Sequence, residues 1–151
     1  MNLFDQVSED IKKAMLARDR VRLEALRGAK KEFLEDKTAK GANGELSDEN
    51  ATKILVKMVK QRKESAQIYQ ENNRPELADN ELAEAKVLEE YLPKQLSAEE
   101  LEAELKAIIA ETGATGPKEM GKVMGVASKR LAGRAEGRTI SETVKKLLNN
   151  Q

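Results

Sequence analysis

Residues 116–123 read GPKEMGKV, one residue short of the GxxxxGK-Ser/Thr loop that cradles nucleotide phosphates. The fold turns on this stretch. A phosphate loop joins a strand to a helix in an α/β protein, whereas the same letters can open a helix in an all-α one. Val123 stands where a hydroxyl residue would hold Mg²⁺, and the upstream run from Leu105 to Glu111 spaces its apolar residues as a helix does. Pro117 removes one of the N–H donors a cradle would use, but it suits the first position of a helix, where that donor is dispensable. The stretch therefore reads as a helix start, with Met120, Val123, Met124, Ala127 and Leu131 facing inward and Gly133 as the stop.

The same periodicity extends in both directions. Upstream, Ser97 and Glu100 have the spacing of a capping box and open a helix carrying Leu101, Leu105, Ile108 and Ile109, closed by Gly113. Downstream, Thr139 and Glu142 have the same spacing ahead of Val144, Leu147 and Leu148. Toward the N-terminus, Leu3, Val7, Ile11 and Met15, with Phe4 and Ala14, form one stripe. Asp19 caps a second helix with Leu23, Leu26, Phe33 and Leu34 inward, before the loop at residues 41–44. Ser47 caps a long helix bearing Ile54, Leu55, Met58, Val59, Ala66 and Tyr69, which stops near Asn72 and Asn73. Pro75 then starts a helix with Ala78, Leu82, Ala85, Leu88 and Leu92 inward that Pro93 ends. No segment alternates long enough for a strand. The expectation is an all-α protein: an N-terminal bundle of about four mostly long helices over 1–93, then a small three-helix domain over 94–151.

The 151 residues suit one domain or two small ones. Charged residues make up 36% and apolar ones 39%, with 27 basic against 27 acidic side chains, so the chain lies outside the disordered regime. It holds no cysteine, histidine or tryptophan. Thiol catalysis, histidine general-base chemistry, thiolate or imidazole zinc sites and disulfides are thereby excluded. Carboxylate pairs such as Asp48 with Glu49, or Glu99 with Glu100, sit at helix starts, where they favourably meet the helix dipole. The five methionines read as core filler. The first residues carry Asp5, Glu9 and Asp10 and lack the apolar run of a signal peptide, and no window approaches about 18 uncharged apolar residues. The expectations are a cytoplasmic protein that is not an enzyme and has no cofactor, metal or membrane partner.

Charge is uneven along the chain. From Thr112 onward, eight basic residues stand against three acidic ones, a local positive field that suits a phosphate-bearing or acidic partner. Six of the nine glycines fall between Gly113 and Gly137. Gly121 and Gly125 lie four apart on one helix face, and each costs about 1 kcal/mol against alanine. Either another helix packs closely over them or the backbone comes near a ligand. Lys118, Lys122 and Lys129 share a face by their spacings of four and seven. Arg130 lies beside the apolar stripe, and Arg134 and Arg138 flank the turn from Gly133 to Gly137. No aromatic residue follows Tyr91, so base stacking is unsupported and the backbone of a structured RNA fits better. The competing reading is a solvated lysine face.

The combination of YLPKQL at 91–96, MGKVMG at 120–125 and GRAEG at 133–137 resembles the YqeY family. That family is similar to the C-terminal tail domain of the B subunit of the tRNA-dependent amidotransferase acting on Glu-tRNA(Gln) or Asp-tRNA(Asn). The resemblance implies a two-part helical protein whose C-terminal part, in the amidotransferase, recognises tRNA by its shape. Carried over by position, Gly121, Lys122, Gly125, Lys129, Gly133 and Arg134 would face the tRNA, with Lys118, Arg130 and Arg138 completing the set suggested by charge. Amidotransferase tails tend toward Asn-Pro where this chain has Glu136 and Gly137. Carbon–nitrogen ligase activity with glutamine as nitrogen donor would be a label inherited from the larger enzyme, whose reactive sites lie on domains absent here. The partners implied are tRNA or the amidotransferase itself; the alternative is a protein-interaction adaptor using the amphipathic N-terminal helices.

Overall fold

The computed structural model of the chain describes residues 1–39, 41 and 43–150. Among these the chain forms seven α-helices and no strand. It divides into two compact units, Met1–Pro93 and Lys94–Gln151. The first holds α1 (Leu3–Ala17), α2 (Arg20–Thr38), α3 (Asp48–Glu71) and α4 (Pro75–Glu89). The second holds α5 (Ala98–Thr112), a 3-10 turn at Pro117–Glu119, α6 (Met120–Arg130) and α7 (Gly137–Asn149). Ala42, part of the expected loop between α2 and α3, lies outside the described residues; Gly41, Asn43 and Gly44 on either side of it have positive φ.

Each unit closes its own core. In the first, Val7, Leu26, Phe33, Leu55 and Leu88 are fully buried, and the Phe4 and Phe33 rings meet at 6.4 Å. In the second, Leu105, Ile108, Val123, Leu131, Val144 and Leu148 pack together. Local signals match the caps. Asp19 and Ser47 accept from Arg22 and Asn50 N–H groups at 3.1 Å each. The Ser97–Glu100 box is complete, with reciprocal bonds of 3.1 and 3.0 Å.

Several sequence expectations need correction. Met15 is 52% exposed while Ala14 is buried. Spacing by four drifts about 40° per step on a 3.6-residue helix, so by the fourth member the stripe has rotated off the core and Ala14 has rotated onto it. Leu34 and Leu82 are exposed as well. Phe33 holds the inward position beside Leu34. On α4 the buried face turns toward Glu84, whose carboxylate takes hydrogen bonds from Asn80 Nδ2 at 3.1 Å and Arg62 Nη1 at 3.4 Å. That helix ends at Glu89, not at Pro93, and tightens through i to i+3 bonds at Glu90, Tyr91 and Leu92. The residue before a proline disfavours the helical region, and the Tyr91 hydroxyl is held by the Asp10 carboxylate on α1. Pro117 opens a 3-10 turn before α6 proper. The Thr139–Glu142 capping box is not formed: α7 starts earlier, at Gly137, with Ile140 N–H bonded to the Glu136 carbonyl at 3.0 Å, and Glu142 pairs instead with Arg138 at 3.1 Å.

Glu84 gives a pH prediction. Burial pushes its carboxyl above the usual carboxylate range despite the nearby Arg62. A carboxyl raised in the folded state contributes stability below its unfolded value, about 4.3, and loses that contribution as pH rises through the folded value. Glu84→Gln is therefore expected to gain stability relative to the parent between pH 4 and pH 7 in urea melts. Parallel stabilities at the two pH values would refute this.

Candidate nucleic-acid interface

The C-terminal unit sorts the nine residues expected at the site into two groups. Gly121, Lys122, Gly125 and Lys129 lie exposed on the outer face of α6, opposite buried Val123 and Ala127, and exposed Lys118 sits on the 3-10 turn just before it. A Cβ placed on Gly121 or Gly125 would meet nothing within 4 Å. The close-packing explanation for these two glycines therefore fails within the described chain, and their backbone lies open between lysines. Lys118, Lys122 and Lys129 make no ion pair among the described residues.

The arginines are engaged by their own unit. Arg130 pairs with Glu111 at the end of α5 at 2.8 Å. That hydrogen bond holds the Glu111 carboxyl below its usual range and raises the guanidinium. Arg134 Nε donates to the Lys94 carbonyl at 3.2 Å, and its own carbonyl accepts from Leu96 N–H at 2.9 Å. Gly133, at φ +76°, accepts from Gln95 Nε2 at 2.5 Å. The positive φ explains this glycine without a ligand. Together these bonds strap residues 94–96 onto the turn between α6 and α7. Arg138 pairs with Glu142 along α7.

No sequence pattern marks the pairing of Arg130 with Glu111, because residues 19 apart on different helices share no period. The strap at 94–96 likewise leaves no local pattern beyond Pro93.

The near-miss phosphate loop has no cradle. Helix α5 precedes it, and the Thr115 N–H is taken by the Glu119 carboxylate at 2.5 Å. A negative charge already sits where a phosphate would need a donor. Among the described residues of the unit, the carboxyls displaced from their usual range are held low, not raised by burial. The carboxyl of Glu100, exposed like Glu111, is held low by the Ser97 backbone N–H of the capping box. Among the described residues no group of three or more acidic side chains could hold a metal ion, and no helix is long and apolar enough to cross a membrane. What the outer face of α6 offers is a strip of bare backbone flanked by exposed point charges without ion pairs, a chemistry that suits phosphate groups.

The fold and this face define a two-unit helical module with a basic, glycine-bearing C-terminal part. A family model described as Yqey-like protein matches residues 4–148, and the chain belongs to the YqeY family. Similar curated proteins are named Altered inheritance of mitochondria protein 41, mitochondrial. The one from Kluyveromyces lactis is 31% identical over 114 residues, covering 74% of this chain and 60% of the relative. The one from Clavispora lusitaniae is 31% identical over 90 residues, covering 60% and 51%. That from Lachancea thermotolerans is 29% identical over 100 residues, covering 66% and 53%. The chain thus spans about half to three-fifths of the length of these relatives.

Proposed function

We propose that this protein is a non-catalytic module whose C-terminal unit docks on the sugar–phosphate backbone of a folded RNA. The resemblance to the amidotransferase tail makes tRNA the leading candidate, either directly or in company with a tRNA-dependent amidotransferase. The observation that carries this reading is the open Gly121–Gly125 strip beside the unpaired Lys122 and Lys129. Glycine at 125, in the interior of α6, costs about 1 kcal/mol, and at 121, in its first turn, less; packing within the described chain does not explain either, and a ligand approaching the backbone does. Lysines acting as solvated point charges supply affinity without base readout, in keeping with a chain that has no aromatic residue after Tyr91.

Filter binding of folded tRNA across a salt series tests the reading. Three phosphate contacts by Lys118, Lys122 and Lys129 give a slope of log affinity against log salt of about −2 to −3. Absence of binding at low salt would end the proposal. Gly121→Ala with Gly125→Ala separates close approach from charge alone. The double variant is expected to be more stable by about 1 kcal/mol in denaturant, mostly from position 125, since both methyl groups enter open space, and to bind RNA more weakly. Equal RNA affinity would leave only a generic lysine face.

A second reading, a protein-interaction adaptor, draws on the N-terminal unit, where Leu16 is 86% and Ile68 57% exposed. A pull-down with residues 1–93 that recovers the same partners as the whole chain would favour it.

A further inference from the structure

The N-terminal unit has a mid-helix glycine of its own, half-buried where those of α6 are exposed. Gly28 sits in the interior of α2, where glycine carries the same propensity cost as on α6. A Cβ there would come no nearer than 3.5 Å to Arg62 Nη2 and 3.6 Å to Met58 Cε, which is ordinary van der Waals distance. Steric exclusion does not require the glycine. What a side chain would do is cover the Arg62 guanidinium.

That guanidinium lines a cleft of about 680 Å³ between α2 and the α3–α4 pair, within the range of small-ligand sites. A second hollow of about 340 Å³ shares Gly28, Lys31 and Arg62 with it. The acidic groups of the larger cleft are already committed. Glu24 pairs with Arg27 at 3.6 Å, and Glu84, 6% exposed, is bonded by Arg62 Nη1 and Asn80. Two cations of the lining, Arg20 and Lys31, have no ion pair among the described residues. Arg62 meets Glu81 and Glu84 through Nη1, while Nη2 is the nitrogen beneath Gly28. Lys31 stands one helical turn from Gly28, on the same face. The larger cleft thus holds two cations without an ion pair against carboxylates that are all paired, while the adjoining hollow adds Glu81, paired with Arg62, and Glu32.

We propose that this cleft is an oxyanion site, in which a phosphate or carboxylate group of a small ligand seats over Gly28 between Lys31 and Arg62 Nη2. Such a group gains a charge-assisted hydrogen bond from a partly buried guanidinium and a second from the lysine. Arg20, farther along α2, receives the distal end of a longer ligand. The site is independent of the RNA face and does not rest on it.

Amide-resolved NMR titrations of the full chain at constant ionic strength test this, with inorganic phosphate in one arm, glutamate in another and chloride as control. The expected result is saturable shifts at Gly28, Lys31 and Arg62 with one of the two oxyanions. Preference for phosphate assigns a phosphoryl ligand, and preference for glutamate a carboxylate. Gly28→Ala and Lys31→Gln, each folded by circular dichroism, should weaken that binding at least tenfold while leaving RNA binding unchanged. Unsaturable shifts equal to those from chloride, or undiminished affinity in both variants, would overturn the proposal.

Discussion

Lys122→Glu combined with Lys129→Glu is expected to lower tRNA affinity by at least about 100-fold at roughly 0.1 M salt, with the helical signal and melting behaviour unchanged. Each phosphate contact contributes a factor of about [salt] to the power −0.9, or roughly eightfold at that salt. Losing two such contacts accounts for most of the effect, and the reversed charges repel the backbone for the rest. Stability should hold because both lysines are exposed and unpaired, and surface substitutions away from caps and cores fall within about 0.5 kcal/mol. The salt slope should become shallower by about two. Charge reversal at Arg134 makes an instructive contrast: it removes the bond to the Lys94 carbonyl, so any loss of RNA binding there comes with loss of stability. A double lysine variant that binds as the parent does would remove the outer face of α6 from consideration.

The lysines and arginines were indistinguishable as letters. Eight basic residues after Thr112 read as one positive field, yet Arg130, Arg134 and Arg138 spend their hydrogen bonds on Glu111, Lys94 and Glu142. Helical spacing could place Lys122 beside Gly121 and Gly125, since that depends only on the period within α6. It could not supply the partner of Arg130, which depends on how α5 crosses α6. Whether the glycines were packed or open likewise depends on tertiary contacts, and periodicity left both answers standing. The same limit explains Leu82, whereas Met15 follows from the drift of i+4 spacing alone. The apolar period was visible, but the rotation of each helix about its axis was fixed by neighbours, including the buried Glu84 that draws the inner face of α4 toward Arg62. Caps fared better where the signal was local and complete, as at Ser97 with Glu100. They failed at Thr139, where α7 starts earlier, at Gly137, and the Ile140 N–H bonds the Glu136 carbonyl.

Two core truncations should separate the units by function. Leu105→Ala empties a fully buried position at the centre of the C-terminal core and is expected to cost about 3–5 kcal/mol, the transfer loss of the side chain plus the cavity it leaves. A unit of this size buries too little surface to carry much reserve, so the expected result is loss of its folded helices near 25 °C and, with them, loss of RNA binding. Phe33→Ala makes a cavity of similar cost in the N-terminal core, where Phe33 is fully buried and packs on Phe4. Because the residues packed around Phe33 all belong to the first unit and those around Leu105 all to the second, the Phe33 variant should unfold α1 to α4 preferentially and leave tRNA binding within about threefold of the parent. The phosphate response at Gly28 should disappear in that same variant. Hydrogen exchange followed unit by unit, alongside filter binding, reads both outcomes. RNA binding lost with Phe33 and retained with Leu105 would place the RNA contact in the wrong half of the chain and refute the assignment to α6.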